Sequence, residues 1–323
     1  MNSNKIIIGI DGGGTKTEAV AFNEYGQTIC KYSDSGSNLY VYKEEAVKLI
    51  VKVLETIVSD LKINFSDISA LGCGLAGVSD LNSRDLLLKE FDRLKIVEKS
   101  IILSDTESAY QLLCPTGQGI LVSVGTGIVC LGRNKDGKSF KVAGKGYDKG
   151  DAGSGYWIGK EAIKKLYLNQ NILLIDEDMK QIYDCVKKKF NVDDLHALEE
   201  MFNDQNNMVF KVAALSENIL EYAEKNNDIA LSIIQEGTRI VAEYVVYLID
   251  EMEYTNKEAV IAGNGSIIKN DFYRKCLNDA LQFDISNLHW IFSDICCAYS
   301  SGIIAAQCQK INVSVNDIIK HIN

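Results

Sequence analysis

Short apolar runs that end in glycine or aspartate alternate with longer amphipathic segments over the first third of the chain. The continuous apolar run at 5–10 is followed, across glycine-containing turns, by two alternating segments at 16–23 and 27–33. This pattern predicts an antiparallel meander of three strands. The elements predicted after the meander are a helix over 43–61, a buried strand over 68–77, a helix over 84–94, a strand over 99–105 and a helix over 106–114.

The pattern starts again after Pro115 and Gly117. The stretch GILVSVGTGIVCLGRNKDGKSFKVAG, residues 119–144, predicts three strands joined by two turns and repeats the opening meander in outline. The elements predicted next are helices over 153–250, a strand over 258–268, a helix over 271–281, a short strand near 285–292 and a last helix over 295–307. Two β-β-β-α-β-α units predict an α/β protein of two domains with a cleft between them. We expect domains at 1–117 and 118–323, with the last helix a candidate to return to the first domain.

Composition narrows the classes of function. The chain has 323 residues, a hydrophobic fraction of 46% and a formal net charge of −10, and it lacks a lysine- or arginine-rich block. A nucleic-acid-binding surface is therefore not expected. No apolar run reaches the ~18 residues of a membrane helix, and signal-peptide features are absent from the N-terminal segment. Nine scattered cysteines and three histidines without metal-ligand spacing favour reduced thiols, so a cytoplasmic protein without zinc is the expectation.

The first glycine turn, GIDGGGTKT, places an acid and three glycines between two predicted strands. Consecutive glycines let backbone N–H groups converge on one space, which suits phosphate oxygens. Asp11 ends the first strand, where a carboxylate can hold Mg²⁺ directly or through water. The turn matches neither a Walker A loop nor a dinucleotide-binding loop that opens a helix. A glycine-rich hairpin without a ligand remains the alternative. The candidate phosphate-binding residues are Gly12, Gly13, Gly14, Thr15, Lys16 and Thr17.

Two further glycine loops follow predicted strands. Gly125, Thr126 and Gly127 form a turn between strands, and Gly263, Asn264 and Gly265 lie between a strand and a helix. Each is compatible with an ordinary turn when taken alone. Taken with the first turn, they predict a clamp on a polyphosphate and a place where a flat base approaches the backbone.

Two aspartates could face the same cleft. Asp105 ends a buried strand in LSDTESAY, and Asp151 lies in the stretch GYDKGDAGSGYWIG. Strand carboxyl ends in α/β sheets border the ligand-binding crevice, where a carboxylate can accept a hydroxyl proton. The alternative for Asp105 is a helix N-cap, and the alternative for Asp151 is the N-cap of a helix over 152–168.

Five stretches, in this order, resemble the N-acetylglucosamine kinase and BadF-BadG-BcrA-BcrD group of the actin-like ATPase superfamily. They are GIDGGGTKTEAV, SDTESAY, VSVGTGIV, GKGYDKGDAGSGYWIG and IAGNGSII, and they extend over nearly the whole chain. The resemblance implies two actin-like (ribonuclease H-like) domains with an interdomain cleft. It also implies ATP and Mg²⁺ as cofactors and a small-molecule sugar as substrate, phosphorylated on its 6-hydroxyl. A homodimer is the default expectation for such an enzyme.

The resemblance also implies a role for individual residues. Asp11 and the loop 12–17 would bind the β- and γ-phosphates and Mg²⁺. Residues 125–127 would form the second phosphate-binding loop, and residues 263–265 would lie at the adenosine. Asp105 would be the catalytic base. The residues implied at the sugar are Asn38, Gly77, Asp105, Thr126 and Asp151. Ile128 and Val129 stand where the family commonly has serine and sometimes a polar residue next, so the sugar stays open among N-acetylglucosamine, glucosamine and N-acetylmuramic acid.

Three rival functions are weighed against the sugar kinase. The ATPase that activates 2-hydroxyacyl-CoA dehydratases belongs to the same group and holds an iron–sulfur cluster between two subunits. Only Cys114 and Cys130 are central enough to be its ligands here, and both stand in apolar surroundings. A sugar-sensing repressor would need a DNA-binding helix pair before the first strand and a His/Cys zinc site. A chaperone or filament protein fits poorly with the candidate sugar residues.

Overall fold

The computed structural model describes residues 5–146, 149, 151–202, 208–252, 258–285 and 287–322. It divides into two compact units. The first is formed by Met1–Pro115 together with Ser293–Asn323, and the second by Thr116–Phe292. No helix in these described ranges is long and apolar enough to cross a membrane.

The first unit is built on a five-stranded sheet. Its strands are β1 (Ile6–Gly12), β2 (Lys16–Phe22), β3 (Thr28–Ser35), β4 (Ile68–Leu75) and β5 (Ser100–Leu103), in the order β3-β2-β1-β4-β5. The meander β1-β2-β3 is antiparallel, as the sequence pattern predicts, and β4 and β5 extend it in parallel. The helices are α1 (Leu39–Tyr42), α2 (Glu44–Asp60), α3 (Leu81–Arg93) and α4 (Asp105–Leu113).

Helix α2 covers one face of this sheet because its apolar residues recur at helical spacing. Ile50, Leu54 and Ile57 are buried, and they pack with Ile8 and Ile10 of β1 in one apolar cluster. Side chains alternate across a strand, so the other apolar residues of β1 face the opposite side. The sheet is therefore buried on both faces.

The second unit repeats this topology. Its strands are β6 (Gly119–Val124), β7 (Ile128–Arg133), β8 (Ser139–Ala143), β9 (Glu258–Asn264) and β10 (Asn287–Ile291), in the order β10-β9-β6-β7-β8. The helices are α5 (Gly155–Leu168), α6 (Glu177–Phe190), α7 (Leu195–Phe202), α8 (Met208–Ala213), α9 (Leu215–Glu224), α10 (Asp228–Glu251) and α11 (Asp271–Leu281). An antiparallel meander again continues into two parallel strands, which confirms the predicted internal repeat.

The chain ends with two helices that pack on the first unit, α12 (Cys297–Cys308) and α13 (Val315–Ile322). The helix predicted over 295–307 is present as α12, but it is not the last helix of the chain, because α13 follows it. The sequence does contain a signal for α13, namely Ser314 and Asp317 at the start of the helix. In the structure Ser314 Oγ donates to Asp317 Oδ2 at 2.7 Å, and Ser314 N donates to the same oxygen at 3.0 Å. Such a Ser-x-x-Asp pattern is typical of a helix start.

The backbone of α12 lies directly on strands β1 and β4. A Cβ atom added to Gly9 would overlap the carbonyl of Ala298, and one added to Gly72 would overlap the carbonyl of Ser301. Ser301 Oγ donates to the carbonyl oxygen of Ile10 at 2.9 Å, which fixes the helix along the strand. Glycine is therefore required at positions 9 and 72 by the close approach of helix to sheet.

We expect Gly9→Ala to lower the free energy of unfolding by about 1–3 kcal/mol, because the added methyl group must displace α12. Urea denaturation followed by circular dichroism measures the change. Gly13→Ala is the matched control, since its Cβ would meet only the Lys16 carbonyl, at 3.4 Å. Equal stability of the Gly9 variant and the wild type would contradict this packing.

Candidate active site

The turn between β1 and β2 is fixed by hydrogen bonds to its carbonyl groups. Gly12 O accepts from Ala76 N at 2.8 Å, Gly13 O from Ser37 N at 3.0 Å, and Gly14 O from the Tyr42 hydroxyl at 3.0 Å. The N–H groups of Gly14 and Thr15, by contrast, find no acceptor among the described residues. A rigid turn with two free amide donors is the arrangement that binds an anion.

The side chains of the turn differ in their availability. Thr15 and Lys16 are exposed, and Lys16 Nζ lies 2.7 Å from Glu18 Oε1, a hydrogen bond that raises the pKa of the lysine. Thr17 is buried, and its hydroxyl donates to Ser35 O at 2.6 Å and lies 2.8 Å from Ser37 Oγ. The predicted contact of the Thr17 hydroxyl with phosphate is therefore wrong in this structure, because that group holds the turn against β3.

Asp11 and Asp105 stand at the carboxyl edge of the same sheet. Asp11 pairs with Gly74 of β4, and Gly74 pairs in turn with Leu103 of β5. Leu103 lies two residues before Asp105 in the chain. Asp105 is the first residue of α4 and not its N-cap. Ser104 fills that role, with Oγ accepting from Glu107 N at 3.1 Å. Asp105 Oδ1 accepts from Thr106 N at 2.9 Å.

Burial raises the pKa of Asp11 to about 7, and the negative charges of Asp105 and Glu18 raise it further against a smaller opposing effect of Lys16. Ionised Asp11 is thus costly unless a cation is present. The described residues contain no group of three or more His, Cys, Asp or Glu that could hold a metal ion. Asp11 fits Mg²⁺, which typically takes one or two carboxylates and completes its shell with water and phosphate oxygens.

Asn38 and Gly77 lie against each other in the first unit. Asn38 Oδ1 accepts from Tyr40 N at 2.9 Å and from Val41 N at 3.2 Å, so it caps α1. Gly77 has φ +75°, and a Cβ atom there would overlap Asn38 Oδ1. The loop before Gly77 is tied to the first glycine turn through Ala76. The structure therefore brings together the residues of the first unit that the sequence singles out.

The second unit brings its two glycine loops together. Gly125 N donates to Gly127 O at 2.9 Å, and Gly125 O accepts from Gly155 N at 2.8 Å. Asn264 Nδ2 donates to Ser123 Oγ at 3.2 Å, and Gly265, at φ +94°, packs against the carbonyl of Val124. A Cβ atom on Gly125 would have no neighbour within 4 Å, so the turn borders open space.

Asp151 does not cap a helix, contrary to one of its two predicted roles. Helix α5 begins at Gly155, and its N-cap is Ser154, whose Oγ accepts from Trp157 N at 3.2 Å. Asp151 is 6% exposed and accepts from Lys145 N at 3.1 Å and Gly146 N at 3.2 Å. Burial raises the pKa of its carboxyl, and these backbone donors oppose the shift. Three residues of the same motif, Tyr147, Asp148 and Gly150, lie outside the described residues.

Comparison with known families matches residues 8–295 to the BadF/BadG/BcrA/BcrD ATPase family. The chain belongs to this family. Membership of this family implies that the protein uses ATP. The two glycine turns described above are consistent with binding of its phosphates. The resemblance drawn from the sequence motifs is thereby confirmed.

Two curated relatives are kinases. The N-acetylmuramic acid/N-acetylglucosamine kinase of Clostridium acetobutylicum is 28% identical over 85% of this chain and 90% of its own length. The N-acetyl-D-glucosamine kinase of Dictyostelium discoideum is 34% identical over 50% of this chain and 54% of its own length. The prediction that this BadF/BadG/BcrA/BcrD family member is an enzyme of the kinase type is confirmed.

The fold of the family member is also found in a solved structure. A candidate N-acetylglucosamine kinase from Chromobacterium violaceum superimposes with a TM-score of 0.69 at 18% identity, over 94% of this chain and 99% of that one. The predicted fold class, two α/β units of the actin-like type, is confirmed.

Glu18 and Cys296 border the site of this family member but were not predicted from the sequence. Glu18 pairs across strands with Asp11 and binds Lys16. Cys296 is the N-cap of α12, and burial above all raises the pKa of its thiol to about 12, with added effects from Asp11 and Glu18. The alternation of β2 could have revealed Glu18, because it shares a cross-strand pair with Asp11. No local signal marks Cys296, since its approach depends on the fold.

Proposed function

We propose that this protein is an ATP-dependent amino-sugar kinase that phosphorylates the 6-hydroxyl of N-acetylglucosamine or of a close relative, glucosamine or N-acetylmuramic acid. The observation that carries the proposal is the edge of the first sheet, where Asp11 and Asp105 flank a turn with free amide donors at Gly14 and Thr15. The two curated relatives are amino-sugar kinases by name, which supports the choice of substrate class.

In this proposal the first turn, Gly12–Thr15, binds the β- and γ-phosphates through its N–H groups, and Lys16 adds a positive charge. The turn Gly125–Gly127 is proposed as a second phosphate-binding loop, and Gly263–Gly265 as the loop that adjoins the adenosine. Asp11 would hold Mg²⁺, which would neutralise charge on the phosphoryl group.

Asp105 acts on the acceptor hydroxyl. Its carboxylate orients the sugar 6-hydroxyl and takes the proton while the O6–P bond forms and the bond from Pγ to the bridging oxygen breaks, releasing ADP. Asn38 offers its Nδ2 to the sugar, because no described residue accepts from that group and Oδ1 already caps α1. Gly77, Thr126 and Asp151 are the other residues proposed to contact the sugar.

A coupled assay of ADP formation across N-acetylglucosamine, glucosamine, N-acetylmuramic acid and glucose tests the proposal. We expect ADP release to depend on an amino sugar and to exceed the sugar-independent rate at least tenfold, because correct substrate is needed to complete the site. ATP hydrolysis at one rate with every sugar and with none would refute the assignment.

The alternative function, an ATPase activator with an iron–sulfur cluster, needs cysteines that reach a subunit surface. Cys130 is fully buried in the apolar core of the second unit, and burial raises the pKa of its thiol to about 12. Cys114 is 7% exposed. Buried thiols are poor cluster ligands, so the amino-sugar kinase is the better-supported function.

A further inference from the structure

An arginine near the start of α11 is held over an aromatic ring. The Cζ atom of Arg274 lies over the ring of Phe292, 4.8 Å from the ring centroid. Arg274 Nη1 donates to the carbonyl oxygen of Ile268 at 3.0 Å, and Nη2 forms an ion pair with Asp271. These three contacts hold the guanidinium group in one place, so it loses little freedom when a ligand binds to it.

Both the ring and the carbonyl group that hold Arg274 belong to the surroundings of the third glycine loop. A Cβ atom added to Gly263 would overlap the ring of Phe292. Ile268 follows Gly265 by three residues, within a turn in which Lys269 N donates to Gly265 O at 3.3 Å. The guanidinium group therefore lies beside the loop that we assign to the adenosine.

The same loop is attached to the second phosphate turn within the second unit. Ile267 N donates to the carbonyl oxygen of Val124 at 3.0 Å, and Gly265 packs against that carbonyl group. Val124 directly precedes the turn 125–127. A nucleotide whose phosphates bind this turn would thus have its base near the loop and near Arg274.

The ion pair alone does not account for the placement of Arg274. The side chain of Asp271 is 94% exposed, and an ion pair with so exposed a partner contributes little to stability. The side chain of Arg274 is 21% exposed, so part of it is accessible although Phe292 lies on one side of its guanidinium group. A planar cation supported in this way is suited to stack on an aromatic ring system such as a nucleobase.

We propose that Arg274 stacks on the base of the bound nucleotide, with the guanidinium group between the base and the ring of Phe292. The inference rests on the function proposed above, in which Gly263–Gly265 adjoins the adenosine. Arg274 is a base-binding residue in this account and takes no part in phosphoryl transfer. Phe292 is a positioning residue, because it acts on the base only through Arg274.

The test compares a ligand that has a base with one that has none. Calorimetric titration measures the Kd of a non-hydrolysable ATP analogue and of inorganic tripolyphosphate, each with Mg²⁺, for the wild type and for Arg274→Lys. We expect the Kd of the analogue to rise about tenfold, the scale of one lost base stack, and the Kd of tripolyphosphate to stay within twofold. Lysine keeps the positive charge and can donate to Ile268 O, but it has no planar group.

Arg93→Lys is the matched control and should leave both Kd values unchanged. Arg93 forms an ion pair with Glu90, three residues before it, as Arg274 does with Asp271. Helix α3 runs from the carboxyl end of β4 to the amino end of β5, so its last residue, Arg93, lies at the edge of the sheet opposite Asp11. A second variant, Phe292→Leu, should weaken binding of the analogue more than binding of tripolyphosphate, because it removes the ring that supports the guanidinium group.

The outcomes separate this inference from the function on which it rests. An equal rise of both Kd values in Arg274→Lys overturns the inference, because the arginine then binds phosphate or only holds the loop. An unchanged Kd of the analogue overturns it as well, and so does a wild type that binds the analogue no more tightly than tripolyphosphate. Ribose 5-triphosphate replaces tripolyphosphate if the latter binds too weakly to titrate.

The titrations contain no sugar, so their result does not depend on which acceptor is phosphorylated. ADP formation that no amino sugar stimulates refutes the proposed kinase, whereas the comparison of the two ligands still reports on Arg274. Thermal denaturation of each variant verifies that it is folded, and Arg274→Gln decides the matter if Arg274→Lys is not.

Discussion

Replacing Asp105 by asparagine is expected to lower kcat for sugar phosphorylation by a factor of about 10²–10⁴, the usual contribution of a general base. Binding of ATP is expected to stay within about twofold of the wild type, because Asp105 acts on the acceptor and not on the nucleotide. Asparagine cannot take a proton at neutral pH, yet its Oδ1 can still accept from Thr106 N, as Asp105 does at 2.9 Å. The start of α4 should therefore be preserved.

The measurement pairs steady-state kinetics with calorimetric titration of a non-hydrolysable ATP analogue. Asp105→Ala should give the same loss of turnover, and Asp92→Asn, an exposed acid on α3, serves as the charge-matched control with unchanged kinetics. Loss of nucleotide affinity as large as the loss of kcat would count against the role of Asp105, since a base for the acceptor hydroxyl does not bind phosphate.

Replacing Asp11 by asparagine is expected to have two opposite effects. The Mg²⁺ concentration for half-maximal activity should rise about 10–100-fold, the range seen when a group that supports a metal is removed. Stability without nucleotide should increase, because Asp11 is half-buried beside Asp105 and Glu18 and its pKa in the folded protein is raised to about 7. The carboxylate of Asp11 therefore lowers the stability of the folded protein while it provides the group that binds the cation.

The sign of the pH dependence follows from the raised pKa of Asp11. Between its unfolded value of 3.8 and about 7, the folded protein holds a proton that the unfolded chain has released, so this group makes stability fall as pH rises through that window. At pH 8, in EDTA and without nucleotide, the free energy of unfolding of Asp11→Asn should exceed that of the wild type by about 1–3 kcal/mol. Below pH 4 the difference should disappear.

Urea denaturation at pH 4, 6 and 8 measures this dependence. Asp34→Asn is the matched control, because the hydrogen bond from Lys52 lowers the pKa of Asp34, so its neutralisation should not stabilise the protein at pH 8. A wild type and an Asp11→Asn variant with parallel stability curves across this range would show that Asp11 is not held in a costly ionised state.

The sequence pattern predicts most strands and the glycine turns because these features are local. The run 5–10 with its glycine turn identifies β1 and β2 from spacing alone, and the restart after Pro115 identifies the second meander. The order of the strands then brings Asp11 and Asp105 to one edge, since β1, β4 and β5 run parallel. Local periodicity and a parallel sheet are sufficient for this part of the site.

The features that the sequence could not provide depend on contacts between distant segments. Asp151 resembles an N-cap in the sequence, but it accepts from Lys145 and Gly146 because a loop with three positive φ values folds over it. Thr17 resembles a phosphate ligand in the sequence, but its hydroxyl is already hydrogen-bonded to Ser35 O and Ser37 Oγ. Ser35 is the last residue of β3, and Ser37 lies two residues further along the chain. Whether a polar atom is available to bind a ligand depends on its neighbours in the folded chain. A short sequence motif contains no information about those neighbours.

The most direct test of the account is the site of phosphate on the product. A proton–phosphorus correlation spectrum is recorded on wild-type protein, MgATP and the best sugar from the assay above. We expect a phosphorus signal coupled to the two C6 protons of the amino sugar, formed in equal amount with ADP and, over the same reaction time, weaker by a factor of about 10² or more with Asp105→Asn. Phosphorus appearing only as inorganic phosphate, or coupled to the anomeric proton, would contradict it.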